Sequence, residues 1–353
     1  YSMGRQNWFG PVGEEHAHVR AHAGLFDQSS FAKYELSGPK AAEALEWICA
    51  NRVARDVGRL TYTQLLNSRG GIECDLTVAR LAEDQFYIVT GTGFRTHDYG
   101  WIADHLPGSG VTLTDVTEDW GTLSLMGPKA REILARVTAA DVSNAAFPFG
   151  AAQVIAIAGT PVRALRVTYV GELGWELHCP IGQLGAVYDA LMAADPLLRP
   201  VGYRALESLR LEKGYRAWSS DITPNDTPFE AGLGWAVKMK GNTGFLGREA
   251  LEAAQRAPLQ KTLAGFVVEA PEAVLVGRET ILRDGVPVGY LTSGGFGYTV
   301  GASLGYGYVR NAQGVTQDWL AQGDYALIIA GEQTPARLTL DALYDPQGVK
   351  IRS

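Results

Sequence analysis

At 353 residues, with 46% hydrophobic and 20% charged side chains, the chain carries enough apolar material for two or three cores and is not a disordered or fibrous protein. Its formal charge of −7 and pI of about 5.5 argue against nucleic acid as the main partner, because neutralising phosphates takes a basic surface. Cys49, Cys74 and Cys179 are odd in number and lack metal-ligand spacing, which points to reduced thiols and a cytoplasmic setting.

No apolar run reaches the roughly 18 residues of a membrane span, and no signal peptide opens the sequence. It begins at Tyr1 rather than Met, so residues 1–9 read as a linker from something larger whose start is missing. His16, His18 and His22 follow, with helical i, i+4 spacing between the last two. No Cys or Asp completes a ligand set beside them, and no metal is expected.

Glu35-Leu36-Ser37-Gly38-Pro39-Lys40-Ala41 then reads as a strand, a break and the start of an amphipathic helix. Proline sits where a first-turn N–H has no helical partner anyway. The pattern returns at an offset of 89 residues, where Ser124-Leu125-Met126-Gly127-Pro128-Lys129-Ala130 repeats it. Between the copies, the strand Leu60–Asn67 carries Tyr62, and Gly70-Gly71 turns the chain into a second strand that starts near Asp75. Aspartate is disfavoured in strands, so Asp75 is either a turn-capping or edge residue or a working carboxylate. The hairpin Leu76–Val89 has its echo, at the same offset, in Leu165–His178, and helices over Thr96–His105 and Leu184–Ala194 follow the two hairpins. Strand, helix, hairpin, helix, written twice, predicts two related α+β halves over about residues 30–115 and 120–200, with a ligand at their junction.

Tyr169-Val170-Gly171-Glu172-Leu173-Gly174-Trp175-Glu176 mixes a forced turn, aromatic rings and carboxylates. Glu172 lies in the turn and is expected in solvent, whereas Glu176 lies on the returning strand. Arg204–Gly214 reads as a short helix with Leu206 and Leu209 on its apolar stripe and Gly214 as its stop. The loop Trp218–Lys240 is stiffened by Pro224 and Pro228, carries Trp235, and is tied by Glu230; Lys238 and Lys240 are read as solvated or facing an anionic ligand. Such a mixture suits a flat, hydrogen-bonding heterocycle. The clusters Gly91-Thr92-Gly93 and Ser293–Gly297 are incomplete as dinucleotide fingerprints. After Arg256, short alternating strands with hairpin turns at Asp284-Gly285 and Ala330-Gly331 predict a separate all-β module, a small barrel or sandwich.

Taken together, these motifs resemble the glycine-cleavage T-protein (aminomethyltransferase) superfamily, most of all the folate domain of dimethylglycine and sarcosine dehydrogenases. The resemblance runs from about Val12 to Asp345. It implies an α+β fold in which two related ferredoxin-like halves and a C-terminal β-barrel or jelly-roll-like domain form a cloverleaf around a central channel. The folate-binding domain would cover residues 1–255 and the barrel 256–353. It further implies tetrahydrofolate as cofactor and Asp75 as the catalytic carboxylate, at the family's Gly-Gly-x-x-x-Asp-Leu strand start. Tyr62, Tyr169, Glu176 and Trp235 would bind the folate, Glu176 taking the amino group and ring N–H of the pterin edge. A second acidic residue common in the family falls on Cys74, preceded by Glu73. T-proteins have a folate-binding arginine where this chain has Leu206, and Arg204 is the candidate replacement.

The expected activity is tetrahydrofolate-dependent one-carbon transfer from a small-molecule methyl donor, with a flavin-dependent amine dehydrogenase domain or subunit as partner and neither nucleic acid nor membrane involved. Two alternatives stay open. One is a free-standing O-demethylase acting on an aromatic methoxy or methylenedioxy ether. The other is a non-catalytic folate-binding protein of the iron–sulfur repair type, although its Lys-Gly-Cys motif reads Lys213-Gly214-Tyr215 here.

Overall fold

Helix α1 (Phe9–Ala21) and strand β1 (Gly24–Asp27) precede the first half, which runs β2 (Ala32–Ser37), α2 (Ala41–Ile48), β3 (Leu60–Leu66), β4 (Ile72–Ala82), β5 (Gln85–Thr90), α3 (Arg95–Asp104) and β6 (Thr112–Asp115). The second half runs β7 (Trp120–Met126), α4 (Ala130–Ala135), β8 (Ala152–Ile157), β9 (Thr160–Leu165), β10 (Gly174–Pro180), α5 (Leu184–Ala194) and β11 (Arg199–Pro200). This computed structural model describes residues 5–270 and 272–353. The starts of α2 and α4, of β5 and β10, and of α3 and α5 are each 89 residues apart. The sheets repeat as well: their orders are β3-β4-β5-β2-β6 and β8-β9-β10-β7-β1-β11, the second differing by the insertion of β1. At the two Gly-Pro breaks, Gly38 and Gly127 have φ of 124° and 141°, and a Cβ on either would lie 2.5 Å from neighbouring backbone. Only glycine tolerates that combination.

Strand alternation decides what each sheet covers. Leu36, Leu65, Cys74, Leu76, Val78, Phe86 and Ile88 pack outward on α2 and α3 through Ala41, Leu45, Ile48 and Ile102. Leu123, Leu125, Trp175, Leu177 and Cys179 do the same with Ile133, Leu134, Val187 and Leu191 of α4 and α5. The opposite faces meet each other: Leu60, Ala79, Tyr87 and Val89 of the first sheet pack against Ala152 and Leu165 of the second. An ion pair of 2.7 Å between Arg163 and Glu35 crosses the same interface. The helices therefore lie outside, and the two sheets enclose a shared interior.

Helix α6 (Tyr203–Lys213) packs against α1, and after α7 (Arg248–Ala254) the chain becomes almost wholly β. Strands β12 (Lys261–Val268), β13 (Thr280–Arg283), β14 (Val286–Gly297) and β15 (Ala302–Arg310), helix α8 (Gln317–Ala321), and strands β16 (Tyr325–Ile329), β17 (Glu332–Pro335) and β18 (Arg337–Thr339) follow. Their sheet is ordered β17-β16-β13-β14-β15-β12-β18. Its two edge strands are joined through Ala336 alone, so the sheet has to curl to bring its edges near each other. The expected barrel is thus one curled sheet, a half-barrel, rather than the two layers of a jelly roll.

A buried charge cluster fastens α1 to the rest. Arg20 reaches Glu172 at 3.2 Å and Glu212 at 3.0 Å, and its guanidinium lies 3.6 Å from the Tyr344 ring centroid. His16 approaches Glu212 at 3.3 Å, and the Tyr344 hydroxyl donates to Glu172. Glu172 is therefore buried, not solvated as its place in a turn suggested: a cation from a distant helix supplies the charge that water would otherwise have provided. Among the described residues no helix is long and apolar enough to cross a membrane.

Candidate functional site

Asp75 stands on β4 directly opposite Gln64 of β3, and Tyr62 opposite Thr77, so Tyr62, Gln64, Asp75 and Thr77 share one face. That face continues through Ala79, Val89 and Tyr87 and is the one turned to the second sheet. Cys74, one residue earlier, points to the helix side. The Gln64 amide donates to Asp75 Oδ1 at 3.0 Å, and the Tyr62 hydroxyl interacts with the same carboxylate. Burial pushes the Asp75 carboxyl up to about 6, against the pull of those two donors and with a further push from the negative charge of Asp98. The same neighbourhood, burial first, holds the Tyr62 phenol well above its usual range. Arg216 acts weakly in the other direction on both groups. Sequence reasoning missed it, since nothing in its local context sets it apart from a surface arginine.

Glu176 occupies the matching face of the second sheet. It is the register partner of Ser124 on β7 and of Leu165 on β9, and Leu165 is one of the residues packed against the first sheet. The residue is 8% exposed, with the His178 imidazole 3.5 Å from its carboxylate. That separation is too long for a good hydrogen bond, so the carboxylate keeps most of its accepting capacity. Asp75 and Glu176 thus project from facing sheets into one interior.

The rings are arranged differently from a simple sandwich. Tyr62 and Trp235 stack on each other with centroids 5.8 Å apart at 27°. A flat ring held between them would need about 7 Å, twice the optimal carbon–carbon separation. Trp235 is 72% exposed and offers its other face outward. Tyr169 stacks on Tyr215 at 5.7 Å and donates to the Arg216 carbonyl at 2.9 Å, which places it beside the arginine that faces Asp75. Arg204 does not take over from Leu206: it is exposed and lies over the Trp8 ring at 4.3 Å, while Leu206 is buried among Phe26, Met126 and Val170. Lys238 is neither solvated nor directed at a ligand, being buried in a 2.9 Å pair with Glu46; Lys240 is exposed. Glu230 ties its loop through Thr227, at 2.7 Å to the backbone N–H and 2.9 Å to the hydroxyl.

The acidic neighbour of Asp75 is not Glu73, which accepts from Asn67 at 2.8 Å. It is Asp98, on α3 behind the sheet, held by Thr90 at 2.5 Å and His97 at 2.9 Å. Burial raises the Asp98 carboxyl, while His97, Thr90 and Cys74 oppose that shift. A recess of about 780 Å³ lies elsewhere, on the C-terminal module by Asp284, Leu320 and Tyr325, and is open to solvent. It brings together nothing comparable to the facing carboxylates, which mark the candidate site.

Two facing α+β halves with a curled β module beside them define a T-protein type of one-carbon transferase fold. The chain belongs to the glycine-cleavage T-protein family: the GCVT N-terminal domain matches residues 1–241, and the glycine cleavage T-protein C-terminal barrel domain matches residues 261–345. It is 40% identical over 352 residues to the mitochondrial sarcosine dehydrogenase of Mus musculus, covering 94% of this chain but 38% of that protein. The aminomethyltransferase of Saccharopolyspora erythraea is 34% identical over 298 residues, with 84% of this chain and 81% of that one covered. Among solved structures, the glycine cleavage system aminomethyltransferase T of Bartonella henselae superimposes with a TM-score of 0.83 at 31% identity, over 95% of this chain and 90% of that one.

Proposed function

We propose that the chain binds tetrahydrofolate between its two α+β halves and transfers a one-carbon unit to it from a small methylated donor. The observation that carries this reading is the pair of carboxylates on facing sheets, Asp75 raised to about 6 and Glu176 with the His178 imidazole no nearer than 3.5 Å. These fit the group: a reduced pterin brings an amino group and a ring N–H side by side, and a carboxylate with free lone pairs accepts both. When bound, the folate supplies nucleophilic amine nitrogens that take up an electrophilic carbon. The protein's own work is positioning and electrostatics. Glu176 orients the ring by its polar edge, Tyr169 and the exposed Trp235 face cover its apolar parts, and Tyr62 and Gln64 hold the Asp75 carboxylate in place. With its proton held near pH 6, Asp75 is charged at neutral pH, where it favours a cationic carbon donor and can accept a proton afterwards.

Because the chain spans 38% of the length of sarcosine dehydrogenase, we assign amine oxidation to a separate flavin-dependent dehydrogenase domain or subunit, which would hand over an iminium-type carbon. Three buried free thiols suit a reducing, cytoplasmic setting. The test is to incubate the chain with tetrahydrofolate and N-methylated amines plus their oxidising partner, or with aryl ethers, and to follow folate products by mass. Methylene-tetrahydrofolate formed from the amines is expected. Turnover with methoxy or methylenedioxy ethers alone would move the reading to the O-demethylase, and bound but unchanged folate with every donor would move it to a non-catalytic binder.

A further inference from the structure

Directly after β1, Gln28 donates its backbone N–H to the Thr122 carbonyl at 2.9 Å. Its side-chain carbonyl accepts the Ser124 hydroxyl, and the residue is 2% exposed. The amide nitrogen has no partner. Turning the amide over would change which atom is orphaned without pairing both, because Ser124 has a single hydroxyl to offer. Ser124 is in turn the register partner of Glu176, so the Gln28 amide and the Glu176 carboxylate flank neighbouring points of one face. His178 stands on the same face: its Nε2 is 3.5 Å from Glu176, while Nδ1 faces Tyr87 and Thr122 at 3.2 and 3.0 Å. Buried polar atoms are nearly always paired. An unpaired buried donor, the Gln28 amide, on the face that carries the Glu176 carboxylate marks where a polar ligand edge belongs.

Resting on the folate reading above, we propose that Gln28 is a specificity residue for the pterin ring. With Glu176 accepting the amino group and ring N–H, the next atom along that edge is the 4-oxo oxygen, and the Gln28 amide donates to it. The site then selects a ring with an oxo group next to the N–H and disfavours one with an amino group there, since two donors would face each other.

Anaerobic calorimetry with tetrahydrofolate and with its 4-amino counterpart tests this. The unaltered chain is expected to bind the oxo ligand at least about tenfold tighter, the worth of one buried hydrogen bond. Gln28→Met, which keeps the length and removes the amide, lowers that ratio severalfold and leaves the part owed to Glu176, which finds no ring N–H in the 4-amino ligand. Gln28→Glu, which still accepts from Ser124 and serves if the Met variant does not fold, lowers it further by accepting the amino group. The same ratio in the unaltered chain and in a folded variant, with tetrahydrofolate still bound, would overturn the role of Gln28 and leave a buried water as the partner of these groups. No binding of tetrahydrofolate by the unaltered chain would overturn the folate reading and this inference with it.

Discussion

Glu212 and Asp75 are both carboxylates withdrawn from water, and their surroundings treat them in opposite ways. Glu212 is held down to about 2: burial opposes its charge, but His16 and Arg20 more than compensate, and the backbone N–H groups of Thr299 and Val300 add bonds of 2.7 and 3.1 Å. Asp75 is pushed up to about 6, because its two neutral donors do not repay burial and Asp98 adds repulsion. The first cluster joins α1, α6 and the curled sheet, and its carboxylates are met by the Arg20 guanidinium and several hydrogen-bond donors. The second faces the interior between the halves, and its charge is left short of partners. Matched buried charge is what a structural joint requires, whereas a charge-starved interior carboxylate suits the catalytic role proposed for Asp75.

The comparison is broken most forcefully at Arg20. Arg20→Met leaves Glu172 and Glu212 buried without their cation and is expected to cost about 3–5 kcal/mol in chemical denaturation; a loss within the range of an exposed pair would mean the joint is not charge-matched. At the other cluster, Asp75→Asn keeps the packing and should lower turnover by about 10²–10³-fold while folate still binds. The unaltered enzyme's rate should rise with pH through about 6 as Asp75 ionises, and a rate flat across that range would contradict the assignment.

The two carboxylates also predict opposite pH effects on stability. Asp75 binds its proton more tightly folded than unfolded, so its contribution is full below pH 3.8 and is lost as pH rises through about 6. Asp75→Asn should therefore stabilise the protein above that pH, by up to about 3 kcal/mol. Glu212 runs the other way: its stabilisation is present above pH 4.5 and lost as pH falls toward about 2. Thermal melts across pH in both backgrounds would separate the two. The smallest effect belongs to Trp235: Trp235→Leu, removing a half-stacked exposed ring, should weaken folate binding by only about 0.5–1.5 kcal/mol.

Much of this architecture is legible in the chain. The offset of 89 residues that links Gly38-Pro39 to Gly127-Pro128 also aligns the helices and central strands of the two halves. Period-two alternation around Asp75 and Glu176 puts them on strand faces, and short-range patterns of this kind are what strands and helices read out. Long-range pairing is not written in spacing. Glu172 lies in a turn yet is buried by an arginine 152 residues away, and Lys238 sits in a loop yet pairs with Glu46, 192 residues away. Gln28 follows a four-residue strand with no local mark of function, and its bond to Ser124 together with the register of β7 against β10 brings it toward Glu176. The Tyr62–Trp235 stack likewise depends on how a loop returns over β3.

The central claim is that a reduced pterin is gripped by Glu176 between the two sheets. Calorimetric titration of tetrahydrofolate into the unaltered chain and into Glu176→Gln tests it most directly. Affinity is expected to fall by about 10- to 100-fold in the variant, the worth of charge-assisted bonds to a carboxylate; equal affinity in both would contradict the grip of Glu176 on the pterin.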